Sequence, residues 1–444
     1  MAASRPRPGV SRDHPARLLD PQDPLASLKE FRATRARMKE MAAGSPQPRI
    51  GYACMWERVP ERTWSYSAWN LRAALRLAAD TTDIGVQIPR LPRTILRAVH
   101  ARHRAGRLTT TWEFSRLTDA YIEHALRREL SRNPAARRCD AVLTIHDLAA
   151  LPIPFFTYSD ISWDAFAEMT GGTDASAALL SMTPSSLARR RERQRVIYER
   201  ATGVIVESRW LARTLVEQTG VPPGKVHVVP PGIQAGWVPR NGNLPASPSS
   251  GQGEHQRRPP LRERAAPRRR LLFVGRRDFY RKGGDLVVAA LAILRRDHDP
   301  RITLTVVGPE TWPLRGAPPD GVRFLGSLPR HEVAPLYDHH DLFVMPSRME
   351  PFGVVFAEAL ARGLPCVARD SFAMPEIITP GVSGALITRD DENELAAAIA
   401  ATLADDALYE RCYERAPDMA EYFSWERTGL EVSQVITQAL QPVP

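Results

Sequence analysis

A chain of 444 residues is too long for one compact core and suits two domains with attached segments. Its composition, 43% apolar and 25% charged, is that of an ordinary globular protein. The formal charge of +10 is unevenly spread: residues 1–49 carry +5 and residues 239–270 carry +6, which leaves the remainder near −1. Domains built to bind nucleic acid are therefore not expected. No apolar run reaches the roughly 18 residues that a membrane-spanning helix needs, and MAASRPRPGVSRDHPARLLD lacks the apolar centre of a secretory signal. Cys54, Cys139, Cys366 and Cys412 lie far apart with no CxxC pair, which fits buried thiols in a reducing, cytoplasmic setting.

In chain order, residues 1–47 are rich in Pro and Arg and read as a basic, disordered tail, with room for a short helix around Leu25–Met41. Folded structure is expected from residue 48. RIGYACM (49–55), IGVQI (84–88), AVLTIH (141–146), IPFFTY (153–158), GVIVE (203–207) and KVHVVPPGI (225–233) read as strands. Helical patterns alternate with them over Ala68–Ala79, Phe114–Leu130, Pro184–Ala201 and Arg209–Thr219. Such alternation predicts a parallel sheet covered on both faces, and 48–238 is the first domain. The Pro/Gly/Ser/Arg-rich stretch 239–270 cannot build a core and reads as a disordered insertion between domains.

A second alternating series fills 271–422. Its strands are LLFVG (271–275), ITLTVVG (302–308), VRFLG (322–326), DLFVMPS (341–347), LPCVA (364–368) and GALI (384–387). Its helices are Asp285–Arg296, Val333–His339, Val355–Arg362, Asn393–Ala404 and Ala407–Tyr422. A last helix, Trp425–Ala439, lies in a closing segment, 423–444. The fold class is α/β, two doubly wound Rossmann-like domains in tandem facing a cleft. Ligands of open α/β sheets bind beyond the C-terminal strand ends, so the residues after each apolar run are the ones to inspect.

After DLFVMPS comes RMEPFGVVFAEALARGLPCVA. Glu350 falls in the loop and Gly353 lets the backbone approach a ligand. Pro351–Gly353 turns the chain into the helix that follows, where free N–H groups and the helix dipole favour an anion, and Val354 beside it is a donor-binding candidate. Glu358 sits about one and a half turns further on, within reach of a ribose beside a bound phosphate, while Glu350 suits sugar hydroxyls. Either carboxylate alone reads as a surface glutamate; the EPFG context and the later Pro375–Glu376 turn distinguish them. DHHD (338–341) invites a metal reading, but adjacent histidines at a helix-to-strand joint rarely converge on one ion.

The stretch PSRMEPFGVVFAEALARGLPCVARDSFAMPEIITPGVSGALI (346–387) resembles the hallmark of the retaining glycosyltransferases of family 4 (glycosyl transferases group 1): Glu, seven residues, Glu, then Gly-Leu-Pro and Pro-Glu. The likeness covers 42 residues closely and roughly 50–435 loosely. It implies a GT-B fold, a nucleoside-diphosphate sugar as donor, retention of anomeric configuration, and no metal or other cofactor. LLFVGRRDFYRKGGDLVVAAL (271–291) is similar to the family's Gly-Arg…Lys-Gly segment, which implies that Arg281 and Lys282, with Arg276 as a further candidate, meet the donor pyrophosphate. Leu325 and Gly326 match the place where the family's backbone meets the base.

On the acceptor side the likeness is looser. WERVPERTWSYSAWNLRAAL (56–75) stands where the family has paired glycines. TIHD (144–147) and TYSD (157–160) follow strands and should open onto the cleft, offering His146, Ser159 and Asp160; Ser159 stands where relatives carry a histidine. The resemblance gives the leaving diphosphate, rather than a protein nucleophile, the task of deprotonating the acceptor. It implies no acceptor identity (saccharide, lipid-linked or small molecule). It also implies that the closing helix returns to the first domain. The basic, partly amphipathic stretch 94–107 admits a peripheral membrane contact, with a solvated helix or loop as the plainer reading. Three functional readings stand: a glycosyltransferase, another enzyme of this architecture such as an epimerase or phosphorylase, and a degenerate member that binds a nucleotide sugar without turnover.

Overall fold

The computed structural model describes Leu25, Leu28, Arg32 and residues 47–104, 107–172, 180, 182–233, 267–276 and 278–441. Most of the expected tail and most of the 239–270 insertion lie outside these residues.

The first domain opens with β1 (Arg49–Ala53), α1 (Ser67–Ala78) and β2 (Asp80–Asp83), followed by α2 (Arg90–Val99) and a hairpin of β3 (Ala101–Arg104) and β4 (Arg107–Thr110). It continues through α3 (Arg116–Arg132), β5 (Ala141–Ile145), β6 (Phe155–Ser159), α4 (Trp163–Met169), α5 (Pro184–Arg200), β7 (Gly203–Val206), α6 (Arg209–Thr214) and β8 (Val226–Val228). The strand order is β2-β1-β5-β6-β7-β8, with every pairing parallel. The apolar runs of β5, β6 and β7 are buried on both faces, as central parallel strands must be.

The second domain repeats the plan: β9 (Arg270–Val274), α7 (Gly284–Asp297), β10 (Thr303–Val307), β11 (Val322–Gly326), α8 (Arg330–His339), β12 (Leu342–Val344) and α9 (Val354–Leu360). There follow β13 (Cys366–Arg369), α10 (Met374–Ile377), β14 (Gly384–Ile387), α11 (Glu392–Ala404), α12 (Asp406–Tyr422) and α13 (Trp425–Leu440). The second sheet runs β11-β10-β9-β12-β13-β14, again all parallel. This is the two-domain α/β architecture read from the alternation.

The last helix packs on the first domain. Val432 and Ile436 enter the cluster of Ile50, Tyr52, Leu71 and Leu75, Ser433 bonds the carbonyl of Ala78, and a Cβ at Gly429 would stand 2.7 Å from the backbone of Ala74. The buried Arg427 adds a 2.8 Å bond to the carbonyl of Pro230.

Three expectations need correction. The strand expected at 84–88 begins at Asp80, because register with Arg49–Tyr52 places Asp80–Asp83 on the ladder; Ile84 and Val86 extend it through bonds to Tyr52 and Cys54. The end of the expected insertion is part of the second domain: Arg268, Arg269 and Arg270 pair with Asp406, Asp299 and Asp341. Within the expected tail, Leu25, Leu28 and Arg32 are helical; Leu28 is buried in the second domain's core and Arg32 bonds Asp418 and Glu421.

Candidate active site

The site forms where the ends of β9, β10, β11 and β12 meet the ends of β5, β6 and β7 across the cleft. In the second domain, the loop after β12 is sewn to the turn after β9. Arg348 N–H donates to the carbonyl of Arg281 at 2.8 Å and Ser347 Oγ at 3.2 Å. The Arg348 guanidinium reaches Asp285 (2.8 Å), Asp390 (2.8 Å) and the Tyr280 carbonyl (2.5 Å). Gly283 makes this approach possible: at φ 76° its Cβ would lie 2.5 Å from the Pro346 oxygen.

The join brings Lys282 to Glu350. Nζ lies 2.5 Å from Oε2, and both side chains are largely buried. Gly353 then starts α9 in the left-handed region at φ 96°, where a Cβ would come within 2.7 Å of Phe356 and 3.2 Å of Glu350 Cγ. Val354 is thus the first residue of α9, and Glu358 the fifth.

Glu358 is buried, and its carboxylate is held on both oxygens. Tyr337 Oη donates at 3.0 Å and Arg330 Nη2 at 3.2 Å. Burial pushes its pKa above the usual glutamate range, opposed by Arg330 and Tyr337. The sequence named Glu358 but neither partner; both lie on α8, over twenty residues upstream, and only the fold brings them in.

The arginines divide differently from expectation. Arg281 shapes the site with its carbonyl, while its half-exposed side chain pairs with Asp278. Arg276 is the one that faces the other domain: its Nη1 donates to Ser65 Oγ at 2.5 Å. Arg276 holds φ at 48° against Gly308, whose Cβ would meet the Arg276 oxygen at 2.2 Å. Leu325 and Gly326 close this rim at the end of β11, the Gly326 carbonyl accepting from Gly308 N–H at 2.9 Å.

On the facing side, His146 and Asp160 lie together, with Nδ1 and Oδ1 4.0 Å apart. Ser159 does not join them. It alternates with Tyr158 and Asp160 along β6, and its buried hydroxyl sits beside Tyr198 behind the cleft. Trp64 and Glu207 also stand here, though no motif in the sequence marks either. Trp64 packs edge-on to His146 with centroids 4.6 Å apart, and its Nε1 donates to Asp160 at 3.2 Å. Glu207, at the end of β7, is fully buried near Asp160; burial first and that carboxylate second push its pKa well up. Trp64, Ser65 and Tyr66 are three successive non-glycine residues at φ 48°, 56° and 75°. Such residues cost about 1–3 kcal/mol each and persist only where surrounding contacts hold them.

Glu376, from the Pro-Glu turn, bridges the domains instead of facing the cleft as a free carboxylate. It accepts the N–H groups of Arg209 (2.8 Å) and Trp210 (2.6 Å) at the start of α6. The DHHD histidine His340 is spent in the core, with Nδ1 on the Leu336 carbonyl and Nε2 on Thr305.

Two family models match this chain: "Glycosyltransferase Family 4" over residues 89–236 and "Glycosyl transferases group 1" over residues 260–419. The chain is 36% identical over 177 residues to a glycogen synthase of Mycobacterium tuberculosis, covering 38% of this chain and 42% of that protein. It is 28% identical over 276 residues to a D-inositol 3-phosphate glycosyltransferase of Corynebacterium aurimucosum, covering 59% and 62%. The matches thus span between about two fifths and three fifths of these relatives' length. Among solved structures, sucrose-phosphate synthase from Thermosynechococcus elongatus superposes with a TM-score of 0.61 at 20% identity over 88% of this chain and 99% of that one. A glycosyltransferase from Rickettsia africae gives 0.57 at 13% identity, over 89% and 100%. With one model on each domain and the GT-B fold shared, the chain belongs to the family 4, group 1 glycosyltransferases.

Proposed function

We propose that this protein transfers a glycosyl group, most simply a hexosyl group, from a nucleoside-diphosphate sugar to an acceptor hydroxyl with retention of configuration. The contact between Lys282 and Glu350 carries the reading. A cation and a carboxylate, nearly buried together at the strand ends, suit a ligand that is phosphate at one end and sugar at the other. Lys282 and Arg276 would compensate the diphosphate as it leaves, through charge-assisted bonds that strengthen as charge develops. Glu350 would accept from the sugar's hydroxyls and Glu358 from the ribose, Arg330 and Tyr337 keeping its carboxylate in place. The reading needs no metal ion, since Lys282 and Arg276 would stand at the diphosphate, and no protein nucleophile, since the leaving diphosphate could take the acceptor's proton on the same face.

Thermal-shift measurements with UDP, GDP and ADP test this reading. One of them should raise Tm in proportion to its affinity, about 2.7 kcal/mol of stabilisation at a hundredfold excess over Kd. No shift with any of the three contradicts it.

The proposal includes a cytoplasmic setting, supported by four free cysteines whose pKa values are all raised by burial. It also includes peripheral contact with an anionic membrane surface through α2. Leu91 (71% exposed), Ile95 (54%) and Val99 (56%) form an outward apolar ridge on that helix. Helical periodicity puts Arg90, Arg93 and Arg97 on the opposite side, as in helices that lie in a lipid interface. Among the described residues, no helix is long and apolar enough to cross a membrane.

A further inference from the structure

Trp64–Tyr66 lies between the two halves of the site and is bound to both. Toward the second domain, Ser65 Oγ accepts from Arg276 at 2.5 Å and the Ser65 carbonyl from Arg330 at 3.3 Å, while the Arg330 guanidinium lies 5.0 Å from the Tyr66 ring centre. Toward the first domain, Trp64 donates to Asp160 and packs on His146 and Tyr158. One strained segment therefore occupies a diphosphate-facing arginine with a neutral hydroxyl and covers the acceptor-side carboxylate with an indole.

A phosphate is a much stronger partner for a guanidinium than a serine hydroxyl is. Arg276 meets Ser65 through Nη1, and a phosphate that takes that N–H must displace the Ser65 hydroxyl from it. Three consecutive left-handed residues need those contacts to stay as they are. We propose that Trp64–Tyr66 is a strap that the donor diphosphate displaces from Arg276, and that its release withdraws Trp64 from Asp160 and His146 to open the acceptor side. Donor binding then precedes acceptor binding. Arg276 contacts the donor in this scheme; Ser65 and Trp64 are positioning residues. The inference rests on the donor reading above and adds an order of events to it.

The test uses the full chain, with UDP, GDP and ADP as probes and tryptophan emission and thermal shift as parallel readouts. The nucleoside diphosphate that shifts Tm should also change tryptophan emission. Trp64→Phe should keep the thermal shift and lose the emission change. Ser65→Ala, which removes the hydroxyl the probe must displace, should bind that probe about three- to tenfold more tightly than the natural chain. Binding by Ser65→Ala that is equal or weaker overturns the strap, and so does an emission change that persists in Trp64→Phe. Absence of a thermal shift with all three probes overturns the donor reading itself and the strap with it, so the two failures are told apart.

Discussion

His340 has both ring nitrogens committed within the second domain, its Nδ1–H to a backbone carbonyl and its Nε2 to Thr305. Burial lowers its pKa from 6.5 to about 4; Arg270 and His339 push the same way, and Asp341 and the Leu336 carbonyl oppose. The folded chain therefore binds fewer protons here than the unfolded chain does. Its stabilising contribution is complete above pH 6.5 and is lost as pH falls from there to about 4. The shift corresponds to about 3 kcal/mol at most. Buried Glu207, Glu358 and Glu376 have raised pKa values and act in the opposite sense, their contribution being fullest at low pH. Comparison with His340→Asn isolates the histidine: in urea unfolding, the stability gap between the natural chain and the variant should narrow between pH 7 and pH 4. A gap that stays constant contradicts the assignment. At this scale the sequence showed Glu350, Lys282 and Glu358, because a short motif carries them. It did not show Arg330, Tyr337 or Trp64, whose places depend on contacts across many residues. Ser159 was misassigned because strand alternation turns it away from Asp160.

Among the elements, the buried parallel strands were the most legible, since runs such as VLTI and LLFV need no partner to be recognised. The edge strand β2, with sequence DTTD, was not, because only its pairing with β1 makes it a strand. The helix α2 (Arg90–Val99) was legible only in part, within the basic, partly amphipathic stretch 94–107. Of its ten residues Leu96 alone is buried, against Ile88 and Trp112, while Leu91, Ile95 and Val99 stay more than half exposed among the described residues. If the ridge meets lipid, the protein should sediment with phosphatidylglycerol-containing vesicles but weakly with pure phosphatidylcholine. The double change Leu91→Glu, Ile95→Glu should cut that binding by about tenfold or more, given the apolar area withdrawn. Equal sedimentation of the variant and the natural chain removes the membrane contact.

For the molecule as a whole, the alternation of strands and helices announced two sheets, but their mutual placement was legible only in outline. The domains are joined by α13 on the first domain, by Glu376 on α6, and by the two arginines that hold Ser65. The return of the closing helix was expected from the resemblance and the Pro-Glu turn was visible, but the arginine contacts to Ser65 have no local sequence signature. They bring Arg276 and Arg330 against the Ser65–Tyr66 segment, next to Trp64 with its partners Asp160 and His146, and that this cleft transfers sugar is the central claim. The direct measurement is turnover of radiolabelled sugar nucleotides, by transfer to any acceptor or to water, in the natural chain and in Glu350→Gln. Turnover by the natural chain is expected with one nucleotide class, with a loss of about a hundredfold or more in the variant, on the scale of removing a group that stabilises the transition state. Undiminished turnover in Glu350→Gln, or binding of a sugar nucleotide with no turnover by the natural chain, would contradict it.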